Sequence, residues 1–141
     1  WERERYYLVG YQKSSGQLKH FRVDKMKHIK LLERKREGRD LFSKLDMNAY
    51  TTENFGMFQG RNETVTLSVT EDLAGVVIDR FGQDVWMHRE NEGMLTAVVN
   101  VSVSNQFYGW VTAFAGKVKI LSPDSVCEEY RRLLESCIRN I

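Results

Sequence analysis

The stretch Leu18-Lys19-His20-Phe21-Arg22-Val23-Asp24-Lys25 crowds cationic side chains around a single carboxylate. Guanidinium and ammonium groups are what phosphates and carboxylates bind, Arg as a planar fork and Lys as a point charge. Flat rings are what unstacked bases pack on. Tyr7, Tyr11 and Phe21 interleave with the cations, so both ingredients of an anion or nucleotide site lie close together. The plainer reading makes Tyr11 and Phe21 core residues and leaves the cations in water. For Phe21 itself, core is the expectation.

Catalytic chemistry finds little support. His20, His28 and His88 are scattered and lack metal-ligand spacing. No Gly-rich phosphate loop or nucleophile elbow is present. Asp79 and Asp84 flank Gly82 and read as surface groups at a helix end. Cys127 and Cys137 fall in one expected helix, where ten residues span about 15 Å. A disulfide needs Cα atoms within about 7 Å, so the two read as reduced thiols filling a helix face. No enzyme activity, cofactor or metal is expected.

The elements that position the cationic stretch follow from periodicity. Residues 5–12 alternate as a strand, with Tyr7, Val9 and Tyr11 on one face and Tyr6 and Leu8 on the other. Lys13-Ser-Ser-Gly16 is a hairpin turn in which Gly16 can take positive φ. Residues 18–32 read as one or two more strands. Phe21 and Val23 share a face, as do Ile29 and Leu31, with a bend at Asp24-Lys25-Met26. His20, Arg22 and Asp24 alternate onto the opposite face.

A polar linker follows. It carries a short helix starting at Asp40-Leu41-Phe42, a turn from Asp46 to Tyr50, and an apolar Phe55, Met57 and Phe58 able to dock. The domain boundary is expected near residues 58–63.

Beyond it the pattern is β-α-β-β-α-β-α. Val65, Leu67 and Val69 alternate as a strand, and Thr70 is a candidate N-cap. Leu73, Val77 and Phe81 recur at helical spacing before Gly82. A short strand spans Val85 to His88, and another carries Val99, Val101 and Val103. Ser104 or Asn105 caps a helix with Phe107, Trp110, Val111 and Phe114 on one face, closed by Gly116. Val118 and Ile120 alternate as a strand. Ser122-Pro123 opens a last helix whose inner face is Val126, Tyr130, Leu133, Cys137 and Ile141. Such an order makes a ferredoxin-like sandwich with an added C-terminal helix. Trp86 is a candidate interface residue.

Size and charge bound the rest. The 141 residues suit one domain, or a small domain plus part of another. Residues 1–45 hold 13 Lys and Arg against 6 Asp and Glu (net +7), while residues 46–141 hold 8 against 13 (net −5). A basic first part joined to an acidic second part points to an anionic partner for the first. No run approaches the roughly 20 apolar residues of a membrane span, and no secretory leader is visible. A cytoplasmic protein without membrane partners is expected. The chain opens on Trp-Glu-Arg-Glu-Arg without an initiator Met, which reads as a piece of a longer chain.

Two motifs carry a resemblance. Tyr6-Tyr7-Leu8, followed by Val9-Gly10-Tyr11, matches the Trp-Tyr-Leu motif of the WYL family. Phe21-Arg22-Val23-Asp24-Lys25-Met26 matches its Phe-Arg-x-Asp-Arg-Ile signature, with Lys25 for Arg and Met26 for Ile. The part with Phe81-Gly82, Trp110 to Gly116 and Val118 to Pro123 resembles the extension often attached to these domains. The family comprises effector regions of bacterial helix-turn-helix transcription regulators.

The resemblance implies an α+β chain: a partial SH3/Sm-like small β-barrel in residues 1–58, then a ferredoxin-like βαββαβ extension with its added helix in residues 59–141. It implies a basic pocket for a nucleotide or single-stranded nucleic acid. The ligand-binding set would be Tyr7, His20, Arg22 and Lys25, with Asp24 orienting a cation. Lys25 in place of Arg supplies a point charge without the bidentate fork. DNA would be bound through a missing N-terminal domain, and a homodimer is expected. The family's barrel begins before its Trp-Tyr-Leu motif, so a partial barrel here exposes a strand edge suited to pairing between two copies. The alternative is a protein-interaction or dimerisation module with no small ligand.

Overall fold

The computed structural model describes residues 6–47, 50 and 60–141. Backbone contacts divide the chain into two compact units, Trp1–Thr51 and Thr52–Ile141. Residues 58 and 59 of the boundary expected near residues 58–63 lie outside those described, as do Trp1, Phe55 and Met57.

In the first unit, β1 (Tyr7–Gln12) and β2 (Gln17–Arg22) form an antiparallel hairpin. The turn closes with the Ser15 and Gly16 amides donating to the Gln12 carbonyl at 3.2 and 2.9 Å. Gly16 takes φ +66°, the left-handed region the sequence assigned to it. One more ladder bond, Val23 N–H to the Tyr6 carbonyl at 3.0 Å, leads into a 3-10 turn over Val23–Lys25.

Residues 26–38 after this turn form no strand, which corrects the expectation for Ile29 and Leu31. Their side chains are exposed, and His28 sits at φ +54°, which breaks an extended run. Alternating apolar residues do not make a strand without a ladder partner and a face to bury. Phe21 is a second correction. It lies across from Leu8 on the open side of the hairpin and is 37% exposed, so it is not core.

Helix α1 (Arg39–Ser43) starts at Gly38, whose φ is +77° and whose carbonyl accepts from Phe42 N–H at 3.1 Å. A Cβ at Gly38 would stand 2.6 Å from the Tyr11 Cβ, so this glycine is needed both for its φ and for its close approach to β1. The turn expected from Asp46 to Tyr50 is marked by the Tyr50 amide donating to the Asp46 carbonyl at 2.9 Å.

The second unit is built on a four-stranded antiparallel sheet. Its strands are β3 (Arg61–Thr70), β4 (Trp86–Asn91), β5 (Met94–Val103) and β6 (Val118–Ser122), in spatial order β4-β5-β3-β6. This is the split β-α-β arrangement, with β5 inserted between β3 and β4. Helices α2 (Ala74–Phe81), α3 (Asn105–Thr112) and α4 (Asp124–Arg139) complete the unit. The chain is thus α+β, with two antiparallel sheets and four α-helices among the described residues.

Period-two patterning sets which sheet face is buried. Val65 and Leu67 of β3 pair with Val99 and Ala97 of β5 and are buried with them, and Val69 and Val101 extend the same buried face at either end. Val118 extends that face from β6, and Val77, Phe107, Tyr108, Val111 and Val126 pack against it. Trp110, Phe114, Tyr130 and Leu133 close over the cluster's margin.

Two local expectations need adjusting, and a third is decided between its two alternatives. Thr70 makes no capping bond; the chain first turns through a 3-10 segment, Glu71–Leu73, before α2 begins. Ser104 is the cap of α3, accepting from Phe107 N–H at 3.4 Å. The inner face of α4 ends sooner than its spacing suggests. Val126 is buried and Tyr130 and Leu133 pack, but Cys137 and Ile141 are exposed because the helix outruns the sheet beneath it.

A polar network ties β3 to α3 and α4. Arg61 Nη1 donates to Glu129 Oε1 at 3.1 Å and Arg61 Nε to Glu63 Oε1 at 2.6 Å. Tyr108 Oη donates to the other oxygen of Glu129 at 3.1 Å. Arg61, and next Tyr108, hold the Glu129 carboxyl below its ordinary value, while burial keeps the Tyr108 phenol protonated.

A carboxylate whose pKa is lowered by folding stabilises the folded state above its unfolded value and loses that stabilisation as pH falls through the folded one. Thermal stability should therefore drop as the pH is taken below the ordinary Glu value of 4.5. Glu129→Gln should flatten that acid limb in melts recorded from neutral pH downward. Asp72, lowered by its 2.7 Å contact with Lys117, contributes with the same sign and leaves a residual slope.

Candidate basic ligand site

The hairpin register decides which side chains share a surface. Residues directly opposite in an antiparallel pair point to the same side. Tyr7 faces Arg22, Val9 faces His20, and Tyr11 faces Leu18. Tyr7, His20 and Arg22 therefore lie on one face, with Tyr7 and Arg22 as direct neighbours. Lys19 lies opposite Gly10 on the other face with Leu8 and Phe21. The alternation read for His20 and Arg22 puts both on this face, whereas Lys19, grouped with them in the cationic stretch, lies on the other.

Arg22 is the best-defined member. Its Nε donates to Asp24 Oδ1 at 3.0 Å and its Nη2 to Asp24 Oδ2 at 2.6 Å, a forked pair. The 3-10 turn makes this possible by folding Asp24 back beside the end of β2. The paired carboxylate raises the guanidinium pKa further, so Arg22 stays charged. The pair occupies the Nε edge of the guanidinium. Among the described residues its Nη1 makes no hydrogen bond, so a second acceptor can approach from that end.

The His20 ring lies 5.1 Å from the Tyr50 ring, tilted by 48°. Sequence reasoning missed Tyr50, because a contact between β2 and a turn thirty residues on leaves no local pattern. Lys25 ends the 3-10 turn and is exposed. It makes no ion pair among the described residues. The candidate set therefore separates into Tyr7, His20, Arg22 and Asp24 around the hairpin face, with Lys25 at its margin.

Chemically this arrangement is suited to binding an anion. An oriented guanidinium beside a phenol ring offers charge-assisted hydrogen bonds and a stacking surface. Among the described residues no three His, Cys, Asp or Glu side chains come together as a metal site, and no helix is long and apolar enough to cross a membrane.

The family model of the WCX domain matches residues 61–138. Among solved structures the chain is similar to proteasome accessory factor B/C (PafBC) of Arthrobacter aurescens, at 15% identity and a TM-score of 0.43. The match covers 93% of this chain and 20% of that one, so the chain spans a fifth of the length of that protein. No curated protein matches.

Proposed function

From the premise that this chain belongs to the WCX family, the C-terminal region associated with WYL domains in transcription regulators, we propose that it is the effector part of such a regulator. In this reading the first domain, residues 1–58, is a partial WYL barrel that senses an anionic ligand, a nucleotide or single-stranded nucleic acid. The second, residues 59–141, supports dimerisation and shapes the response. The protein acts in the cytoplasm by binding, without catalysis.

The observation that carries this reading is the convergence of Tyr7, His20 and Arg22 on one hairpin face, with Asp24 orienting the guanidinium. Ligand phosphate would share or displace the Asp24 contact. That exchange would bias an equilibrium between two arrangements of a dimer and so change DNA affinity in a domain outside this chain.

A thermal-shift screen with cyclic nucleotides and short single-stranded DNA tests it, with parent and Arg22→Ala compared. The parent should gain a few degrees with at least one ligand, a gain of about 1 kcal/mol by mass action. Arg22→Ala should lose the shift, and Arg22→Lys should keep part of it, because charge survives without the fork. A parent that responds to no nucleotide sinks the sensor. That result would favour a protein-interaction module, the reading supported by the exposed apolar side chains of Leu8, Phe21 and Val23.

A further inference from the structure

Among the described residues the second unit has a strand edge that no other strand pairs with, beside a groove. β6 pairs with β3 and with no other strand among the described residues. The Thr70 amide donates to the Lys117 carbonyl at 3.0 Å, and Ser68 faces Lys119 in the same register. In an antiparallel ladder this alternation aims the backbone groups of Lys117 and Lys119 at β3. Those of Val118 and Ile120 point the other way, to the free edge. The Cys127 thiol confirms the direction at one end, donating to the Ile120 carbonyl at 3.5 Å.

Along that edge runs a groove of about 500 Å³ between β6, the end of α3 and one stripe of α4. Its floor is Val118, Ile120 and Leu134, and Lys119 and Arg131 line it as cations. Neither cation makes an ion pair among the described residues, whereas Arg61, Arg89 and Lys117 of the same unit are all paired with carboxylates.

One wall is already fixed. The Thr112 hydroxyl donates to the Tyr108 carbonyl at 2.7 Å, so the Tyr130 hydroxyl donates to Thr112 Oγ1 at 3.0 Å. The Tyr130 ring also stacks on Tyr108, 5.4 Å between centroids. A wall ordered beforehand lowers the cost of binding.

We propose that this edge takes up an extended acidic peptide of a partner protein by strand addition. The backbone of the peptide pairs with both groups of Val118 and with the Ile120 amide, the Ile120 carbonyl being held by the Cys127 thiol. Side chains alternate along it, so every second residue faces the apolar floor and the others face the side of Lys119. The matching sequence therefore alternates aliphatic with acidic residues. A lysine on an edge disfavours pairing of that edge with a second copy of itself, and the same charge selects a strand carrying carboxylates. The proposal concerns the second unit alone and does not depend on the hairpin site.

The test uses the full chain and a fluorescein-labelled hexapeptide alternating glutamate and valine, followed by anisotropy. Binding should be saturable. It should weaken at least about tenfold for the lysine–valine counterpart, for a peptide N-methylated at alternate amides, and for the Lys119→Glu/Arg131→Glu variant. Hydrogen exchange at the Val118 amide should slow when the acidic peptide binds. Absence of binding overturns the proposal. So does binding that survives in the doubly reversed variant, which would place the peptide on the basic first unit, or that survives N-methylation, which would exclude strand pairing.

Discussion

Phe107→Ala is expected to destabilise the C-terminal unit by about 3–5 kcal/mol, the largest effect of any single truncation in its core. Among the described residues Phe107 is the bulkiest fully buried side chain and has no exposed surface. It sits in the first turns of α3, beside Tyr108, its ring 5.6 Å from that neighbour. Removing it costs both the transfer of the ring and the void left in the core cluster it shares with Leu67, Val101 and Val111. Whole domains are stable by only about 5–15 kcal/mol, so the variant should be marginal or unfolded at 37 °C. Urea unfolding followed by tryptophan fluorescence reports it, since Trp86 and Trp110 both lie in this unit. A loss below about 1 kcal/mol would mean the ring does not fill the core as described.

Gly60→Ala is the second large effect, and its mechanism is different. The Gly60 amide donates to the buried Ser102 Oγ at 2.6 Å. A Cβ built on this glycine would stand 1.8 Å from the Val103 carbonyl oxygen, and that oxygen is backbone inside a central strand. It cannot rotate away as a side chain would. The start of β3 must instead lift off β5, losing the Ser102 bond and leaving that hydroxyl buried. A cost of about 1–3 kcal/mol follows. Gly109→Ala provides the opposite sign. Gly109 lies within α3, and its added Cβ meets nothing within 4 Å. Replacement there should stabilise by about 0.5–1 kcal/mol through helix propensity. Thermal melts of the two variants should therefore move in opposite directions. Equal losses would refute the steric account of Gly60.

How much of this was legible in the sequence depends on the range of the interactions involved. Val65, Leu67 and Val69 announced a strand, and Phe107 and Val111 a helix face, because burial on one side imposes a short period. The order of those elements was enough for the sheet topology. Ile29 and Leu31 carried the same period without becoming a strand, since a period states what could be buried and not whether a partner exists. Phe21 was misread for the same reason. Cys137 and Ile141 followed the helical spacing past the end of the sheet they would cover.

At the hairpin, Arg22 and Asp24 were legible because two residues apart is a local distance. Tyr50 beside His20, Tyr11 against Gly38 and the groove along β6 were not. Each depends on segments that meet only after the chain has folded.

The central position of β3 has a consequence for biosynthesis. The first strand of the second unit to leave the ribosome must wait for β5 and then for β6 before both its edges are paired. Val126, which seals the core from the last helix, arrives later still. Nascent chains stalled before β5 would expose Val65, Leu67 and Val69 on a strand with neither edge paired, a natural target for chaperones that recognise extended aliphatic segments.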